Sequence, residues 1–159
     1  MNLSQQMTSQ IDIYETKFGQ LILSHGPEND FVWSGQINEF PIYIFTKDRN
    51  LSNNTIEFVE TIVSDIEGYI ETSILFMKQT IIREREKYNI KENEYLIILD
   101  KNYCPVDQPE FIFYENSSEW SIRFAEGIFS ICDPFGIAVT FKFKTPLGVD
   151  NLEDSEYID

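Results

Sequence analysis

The chain has 159 residues and carries 27 acidic against 12 basic side chains, which gives a formal net charge of −15 at pH 7. A surface with this excess of negative charge repels nucleic-acid phosphates and anionic lipid headgroups, so the composition argues against a nucleic-acid partner and against a membrane partner. The same charge attracts cationic surfaces, and a basic protein is the partner class that it favours. The alternative is that the acidity serves only solubility.

The chain contains the material for one folded core. Hydrophobic residues make up 42% of it, and 13 of them are phenylalanine, a composition that argues against disorder through most of the length. We predict a single domain over residues 1–146 and a loosely ordered acidic tail over 147–159. The N-terminal residues lack the basic and apolar segments of a secretion signal, and the longest apolar runs are too short to span a bilayer, so we expect a cytoplasmic protein of bacterial type.

The first part of the chain has the residue pattern of β-strands. Residues 11–17 and 18–24 are rich in β-forming side chains, and the turn-forming residues 25–30 separate them from Phe31-Val32-Trp33. A further strand is predicted over residues 40–45, which are apolar on both faces and are therefore expected to lie inside the sheet.

The middle of the chain changes to a helical period. Asn54 and Glu57 form a candidate capping pair for a helix that runs towards Tyr88, with Gly68 as a candidate break. One face of this helix is apolar and is expected to pack on the sheet: Val59, Ile62, Val63, Ile66, Ile70, Met77 and Ile81.

A neighbouring face of the same helix carries four glutamates, which we call the acidic stripe: Glu57, Glu60, Glu67 and Glu71. Leu75 and Ile82 lie on the otherwise polar side, which indicates either two helices with different facing or an apolar spot at a contact surface. We predict that the four glutamates and Leu75 bind a partner. The same stripe would also arise as the solvated face of an amphipathic helix, without any binding role.

The last part of the chain predicts an antiparallel meander. Trp120, Ile122 and Phe124 alternate with polar residues that include Arg123, for which we expect a cross-strand glutamate as partner. Residues 128–132 are predicted to continue or re-enter the sheet, and the next strand is predicted to place Ile137, Val139, Phe141 and Phe143 on its inner face. The predicted fold class is therefore α+β, an antiparallel sheet of several strands with one long or broken central helix packed on a face.

No residue pattern predicts catalysis. His25 is the only histidine and lies in a predicted turn, and no glycine-rich phosphate loop is present. The two cysteines, Cys104 and Cys132, are far apart and are expected to be free and buried. We therefore expect a non-enzyme without a cofactor.

One segment is reminiscent of a calcium loop. Asp48, Asn50, Ser52 and Asn54 place oxygen atoms at alternate positions, but the sixth position is not glycine and the twelfth is Val59 instead of glutamate. A helix-capping loop explains the same residues, so no metal site is predicted.

Four short segments carry a resemblance to a group of known domains. Phe18-Gly19-Gln20-Leu21-Ile22-Leu23, Trp33-Ser34-Gly35, Trp120-Ser121-Ile122-Arg123-Phe124 and Pro134-Phe135-Gly136-Ile137-Ala138-Val139 occur in this order. In this respect the chain resembles small acidic bacterial domains of unknown function found near polymorphic toxins and suspected to be immunity proteins. It departs from them at Ser34, where they have an acidic residue, and at Asn116-Ser117, which replaces their Asp-Gly hairpin. The resemblance transfers no catalytic residue.

Three functions follow as hypotheses. The first is an immunity-type binding protein that neutralises a basic toxin, such as a nuclease, by docking an acidic surface on it. The second is a small enzyme or ligand-binding domain whose carboxylates converge in a pocket between sheet and helix. The third is a structural or assembly subunit, which requires a self-complementary apolar patch. The sequence leaves the oligomeric state open.

Overall fold

A computed structural model describes residues 12–152 of the chain, which fold into an eight-stranded sheet and three α-helices. The fold class is α+β, as predicted. The strands lie side by side in sequence order, and every neighbouring pair is antiparallel except the fourth and fifth, which are parallel. In chain order the elements are β1 Ile13–Thr16, β2 Gly19–His25, β3 Phe31–Ile37, β4 Phe40–Thr46, α1 Asn53–Val63, α2 Ile66–Arg83, α3 Glu92–Ile98, β5 Val106–Tyr114, β6 Glu119–Gly127, β7 Ile137–Lys142 and β8 Thr145–Asn151.

The three helices form a crossover between two antiparallel halves of the sheet. Strands β4 and β5 are parallel neighbours, with Ile42 opposite Phe111 and Ile44 opposite Phe113. Because parallel neighbours cannot be joined by a tight turn, the chain must cross the length of the sheet between them, and residues 47–105 make this crossing. Among these described helices, none combines the length and apolar character needed to cross a membrane.

The central helix, predicted to be long or broken, is two separate helices, α1 and α2, and a third helix follows. The chain leaves the helical conformation at Asp65, whose φ and ψ are −130° and 50°, and the Ser64 hydroxyl donates to the carbonyl of Thr61 at 2.6 Å. The prediction that Gly68 breaks the helix is wrong, because Gly68 lies inside α2 and packs against the Asp65 carboxylate. The residues between 63 and 66 therefore set the direction change between α1 and α2.

The start of α1 also differs from the prediction. The N-cap is Ser52, whose hydroxyl oxygen accepts the N–H of Thr55 at 3.3 Å, whereas Asn54 already lies inside the helix. This hydroxyl satisfies an N–H that has no partner within the first turn. The segment from Asp48 to Asn54, whose oxygen atoms suggested a calcium loop, therefore contains the N-cap of α1. This agrees with the helix-capping loop that the sequence also allowed.

The core lies between the helices and one face of the sheet. Trp120 is its centre, stacked on Phe141 with ring centroids 4.4 Å apart and on Phe113 at 5.3 Å, while its Nε1 donates to the carbonyl of Phe143 at 2.6 Å. The helices contribute buried aliphatic side chains to this layer, namely Val59, Ile62, Met77 and Ile81. The alternation that predicted the inner face of β6 is confirmed, because Trp120, Ile122 and Phe124 are all buried.

The end of the chain differs from the prediction in three places. Residues 128–132 do not form a strand, since Ser130–Cys132 is a single 3₁₀ turn. Phe143 is 59% exposed and has a φ of 52°, so it lies in the turn after β7 instead of the core. The predicted tail boundary at residue 147 is wrong, because it falls inside β8, which pairs with β7. Ile11 of the first predicted strand and residues 153–159 of the predicted tail lie outside the described residues.

Candidate functional site

The acidic stripe is divided between two helices. Glu57 and Glu60 belong to α1, and Glu67 and Glu71 belong to α2, so the helix break interrupts the period that places them on one line. Glu57, Glu67 and Glu71 are exposed, and none of them forms an ion pair with a basic side chain among residues 12–152. These three carboxylates are therefore available to an incoming cation.

Glu60 has a different environment from the other members of the stripe. It is half-buried, and its Oε2 accepts the backbone N–H of Lys17 at 2.9 Å. Lys17 lies in the turn between β1 and β2, so this bond fastens that turn to α1. Glu60 is therefore a structural contact in addition to being a member of the stripe.

Five acidic side chains outside the stripe have a basic partner in the described part of the chain. Glu110 pairs with Arg123 at 2.7 Å, and Asp30 pairs with Lys47 at 2.9 Å. Basic side chains also lie beside further acids in the described part of the chain, in the pairs Asp12 with Arg49, Glu92 with Arg85, and Glu84 with Arg83 and Lys87. Exposed acids without a basic partner also occur on strands and in loops, but on the described α-helices they are the three stripe glutamates Glu57, Glu67 and Glu71.

Leu75 lies in a surface groove between α2 and the end of α3, which we call the α2–α3 groove. The groove has a volume of about 630 Å³ and Leu75 is 59% exposed in it. Its walls are apolar, formed by Ile74, Leu75, Ile82, Ile98 and Leu99. Its charged lining residues are Glu71, Lys78 and Lys101. The structure therefore brings Leu75 together with Glu71, but the groove itself is not acidic.

A second group of carboxylates lines a depression of about 300 Å³ at one end of the sheet, which we call the acidic depression. Asp107 and Glu126 face each other across β5 and β6, and Glu39 and Glu110 complete the group. Like charges directly opposite each other are unfavourable, so this end of the sheet attracts cations. The lining comes from strands and the turn before β4, whereas the second hypothesis places its pocket between sheet and helix. Within residues 12–152 no cluster of three or more ligating side chains is arranged to hold a metal ion.

The face of the sheet away from the helices also carries apolar side chains that remain exposed. The strand register places Ile13 beside Ile22, Ile22 beside Ser34, and Ser34 beside Tyr43 in one continuous row. Ile13 is 50% exposed and Ile22 is 46% exposed. The sequence pattern did not predict these exposed apolar side chains, because the run of residues 40–45, apolar on both faces, indicated only burial.

The predicted partner of Arg123 is confirmed on this open face. Arg123 lies directly opposite Glu110 in the register, its Nη1 donates to the Glu110 carboxylate at 2.7 Å, and its Nε donates to the Phe135 carbonyl at 2.7 Å. A cavity of about 400 Å³ beside this pair is lined by Tyr43 and His25, among others. Burial raises the pKa of the Tyr43 hydroxyl, Glu110 raises it further, and Arg123 acts in the opposite direction.

The two cysteines have opposite environments. Cys132 is buried, and burial is the main cause that raises its pKa to about 11, with a smaller contribution from Glu94 and an opposing hydrogen bond from the Phe129 backbone. Cys104 is exposed, so the prediction that it is buried is wrong. Both thiols are free, as predicted.

Comparison with known proteins finds no matching family model, no similar curated protein and no similar solved structure.

Proposed function

We propose that the chain is an immunity-type binding protein that neutralises a basic toxin, for example a nuclease, by docking an acidic surface on it. The observation that carries this proposal is that Glu57, Glu67 and Glu71 are exposed on adjacent helices without a basic partner in the described part of the chain. The net charge of −15 adds a long-range field of the same sign. Carboxylates that are not already paired give up no existing interaction when a cationic surface binds.

The mechanism that follows is steering and occlusion. The field of the chain raises the rate at which a basic surface meets it, and salt reduces that rate because charges are screened beyond about 8 Å at physiological ionic strength. Leu75, next to Glu71, supplies apolar contact area that salt does not screen. A toxin whose cationic substrate site is covered in this way can no longer bind its own anionic substrate.

The test is capture of a basic protein from the lysate of the source organism, followed by affinity measurements with the purified partner. The double variant Glu57→Gln with Glu67→Gln removes two stripe charges and leaves Glu71, which also lines the groove. The matched control, Glu39→Gln with Glu126→Gln, removes the same charge from two exposed side chains at the acidic depression. The proposal predicts that the stripe variant raises Kd about tenfold, corresponding to about 0.7 kcal/mol for each exposed contact.

Loss of affinity in the control variant alone would contradict docking by the stripe. That result would place the docking site of the basic protein at the acidic depression, which is lined by Glu39, Asp107, Glu126 and by Glu110, the partner of Arg123. Equal affinity of the wild-type chain and both variants would contradict an electrostatic docking mode altogether.

A further inference from the structure

Helix α2 has two apolar faces, although packing on the sheet requires only one. Its buried residues, which include Met77 and Ile81, face the core. A second set with spacings of three and four residues lines the α2–α3 groove, namely Glu71, Ile74, Leu75, Lys78 and Ile82. Of its apolar members Leu75 is exposed, whereas Ile74 and Ile82 are partly buried and also pack against the edge of the core. A helix with an outward-facing apolar stripe flanked by charges is typical of helix-to-helix docking.

The charges around the groove differ from those of the rest of the molecule. The chain carries −15 overall, so two copies repel each other over most of their surfaces. The groove is lined by one acidic residue, Glu71, and by the basic residues Lys78 and Lys101. A patch that carries both signs around an apolar centre is complementary to itself, and a second copy can approach it without net repulsion.

We propose that the α2–α3 groove is occupied by a second copy of this chain, with the two α2 helices antiparallel about a twofold axis that passes between Ile74 and Leu75. Glu71 lies three residues before Ile74, and Lys78 lies three residues after Leu75. In an antiparallel pair centred between them, Glu71 of each copy therefore faces Lys78 of the other, and Leu75 faces Ile74. The interface contains this ion pair twice.

Lys78 is held in place for such a contact. Its Nζ donates to the backbone carbonyls of Asp100 at 3.0 Å and Tyr103 at 2.5 Å, both in the loop after α3. These bonds fix the ammonium group at the groove without neutralising it, so little side-chain entropy is lost when a carboxylate from the second copy arrives.

Two exposed leucines at the end of the α3 region, Leu96 in the helix and Leu99 at its C-cap, add apolar surface beside the groove. Leu96 is 61% exposed and Leu99 is 48% exposed, and their spacing of three residues places them on one side of the helix. A pair of single helices with flanking leucines is a small interface, so the dimer is expected to be weak and to dissociate in the micromolar range. A second copy and the proposed basic partner compete for Glu71 and Leu75, whereas Glu57 and Glu67 stay accessible to the partner.

Sedimentation velocity of the purified full chain at increasing concentration tests the dimer without any partner. Leu75→Glu places a charge in the centre of the groove and is expected to leave the protein monomeric. Leu147→Glu is the matched control, because Leu147 is 53% exposed on β8 and receives the same change. A monomeric wild-type chain at millimolar concentration, or equal loss of the dimer in both variants, would overturn the proposal.

A charge exchange tests the antiparallel arrangement itself. Glu71→Lys and Lys78→Glu each create like-charge pairs in their own homodimer, and each is expected to raise the dimer Kd about tenfold. In a heterodimer of the two variants, both ion pairs are restored. When one variant carries a tag, capture of the tagged chain from an equimolar mixture is therefore expected to retain the untagged one. Circular dichroism melting confirms that each variant is folded. Folded variants that fail to associate on mixing would overturn the arrangement, and this outcome does not bear on binding of a basic toxin.

Discussion

The carboxylate of Glu60 accepts the backbone N–H of Lys17 at 2.9 Å, and this bond joins α1 to the turn between β1 and β2. Glu60 was predicted to bind a partner together with the rest of the acidic stripe, but its half-buried side chain is already engaged. A role in stability and a role in binding can be separated at this position.

The first prediction separates those roles. Glu60→Ala is expected to lower the free energy of unfolding by about 1 kcal/mol, because the Lys17 N–H loses its acceptor. Glu60→Gln keeps an acceptor oxygen and is expected to retain most of the stability. Urea denaturation measures both values. Two results together would contradict a structural role for Glu60. They are that Glu60→Ala and Glu60→Gln both unfold at the same urea concentration as the wild type, and that Glu60→Gln weakens partner binding as much as Glu57→Gln.

The second prediction concerns the ion pair on the open sheet face. Arg123→Met leaves the Glu110 carboxylate, whose side chain is only 20% exposed, without its cation. The expected loss is about 2 kcal/mol, since an unpaired, largely buried charge is unfavourable. Adding Glu110→Gln to Arg123→Met should recover part of this loss, which a double-mutant cycle in urea would measure. If the loss of unfolding free energy in the double variant equals the sum of the losses in the two single variants, the Arg123–Glu110 pair contributes no interaction energy.

The third prediction concerns thiol reactivity. At neutral pH the exposed Cys104 should react rapidly with a disulfide reagent, whereas Cys132 should react only on unfolding, because its thiol is buried and its pKa is raised to about 11. Spectrophotometric counting of reacted thiols checks this. Cys104→Ser is the control and should abolish the rapid phase; a rapid phase that persists would place Cys132 at the surface.

The fourth prediction concerns pH. Burial raises the pKa of Glu115, a Ser52 backbone hydrogen bond lowers it, and Asp48 raises it again. Because the folded state binds this proton more tightly than the unfolded chain, ionisation of Glu115 lowers stability as the pH rises through the raised pKa, and the effect is absent below the ordinary value of 4.5.

Replacement of this side chain reveals the effect. Glu115→Gln should therefore melt at a higher temperature than the wild type at about pH 7, with the difference shrinking towards about pH 4. Thermal melts across this range, with Glu119→Gln as an exposed control, measure the trend. A difference that grows on acidification would have the wrong sign for a raised pKa.

The sequence predicted the fold class and most strands because their residues alternate in a pattern that burial on one face requires. The inner face of β6 and the partner of Arg123 followed from that alternation. The strand β8 was missed, since Pro146, Gly148 and Asp150 give it the composition of a loop, and only pairing with β7 makes it a strand.

The candidate site was harder to predict, because it depends on where helices end. A helical wheel drawn through residues 54–88 assumes one axis, and the turn at Ser64 and Asp65 divides that axis in two. The wheel placed Leu75 correctly on an exposed surface, but it gave no indication that α3 would lie beside it and form a groove. The engagement of Glu60 by Lys17 is a contact between distant segments, which periodicity does not encode.

The measurement that tests the central claim most directly is growth of cells that produce the captured basic protein, with and without this chain. We predict that the basic protein arrests growth, that the wild-type chain and the Glu39→Gln, Glu126→Gln variant restore it, and that the Glu57→Gln, Glu67→Gln variant restores it less. A captured protein that is harmless, or rescue that is equal for both variants, would contradict neutralisation through the acidic stripe.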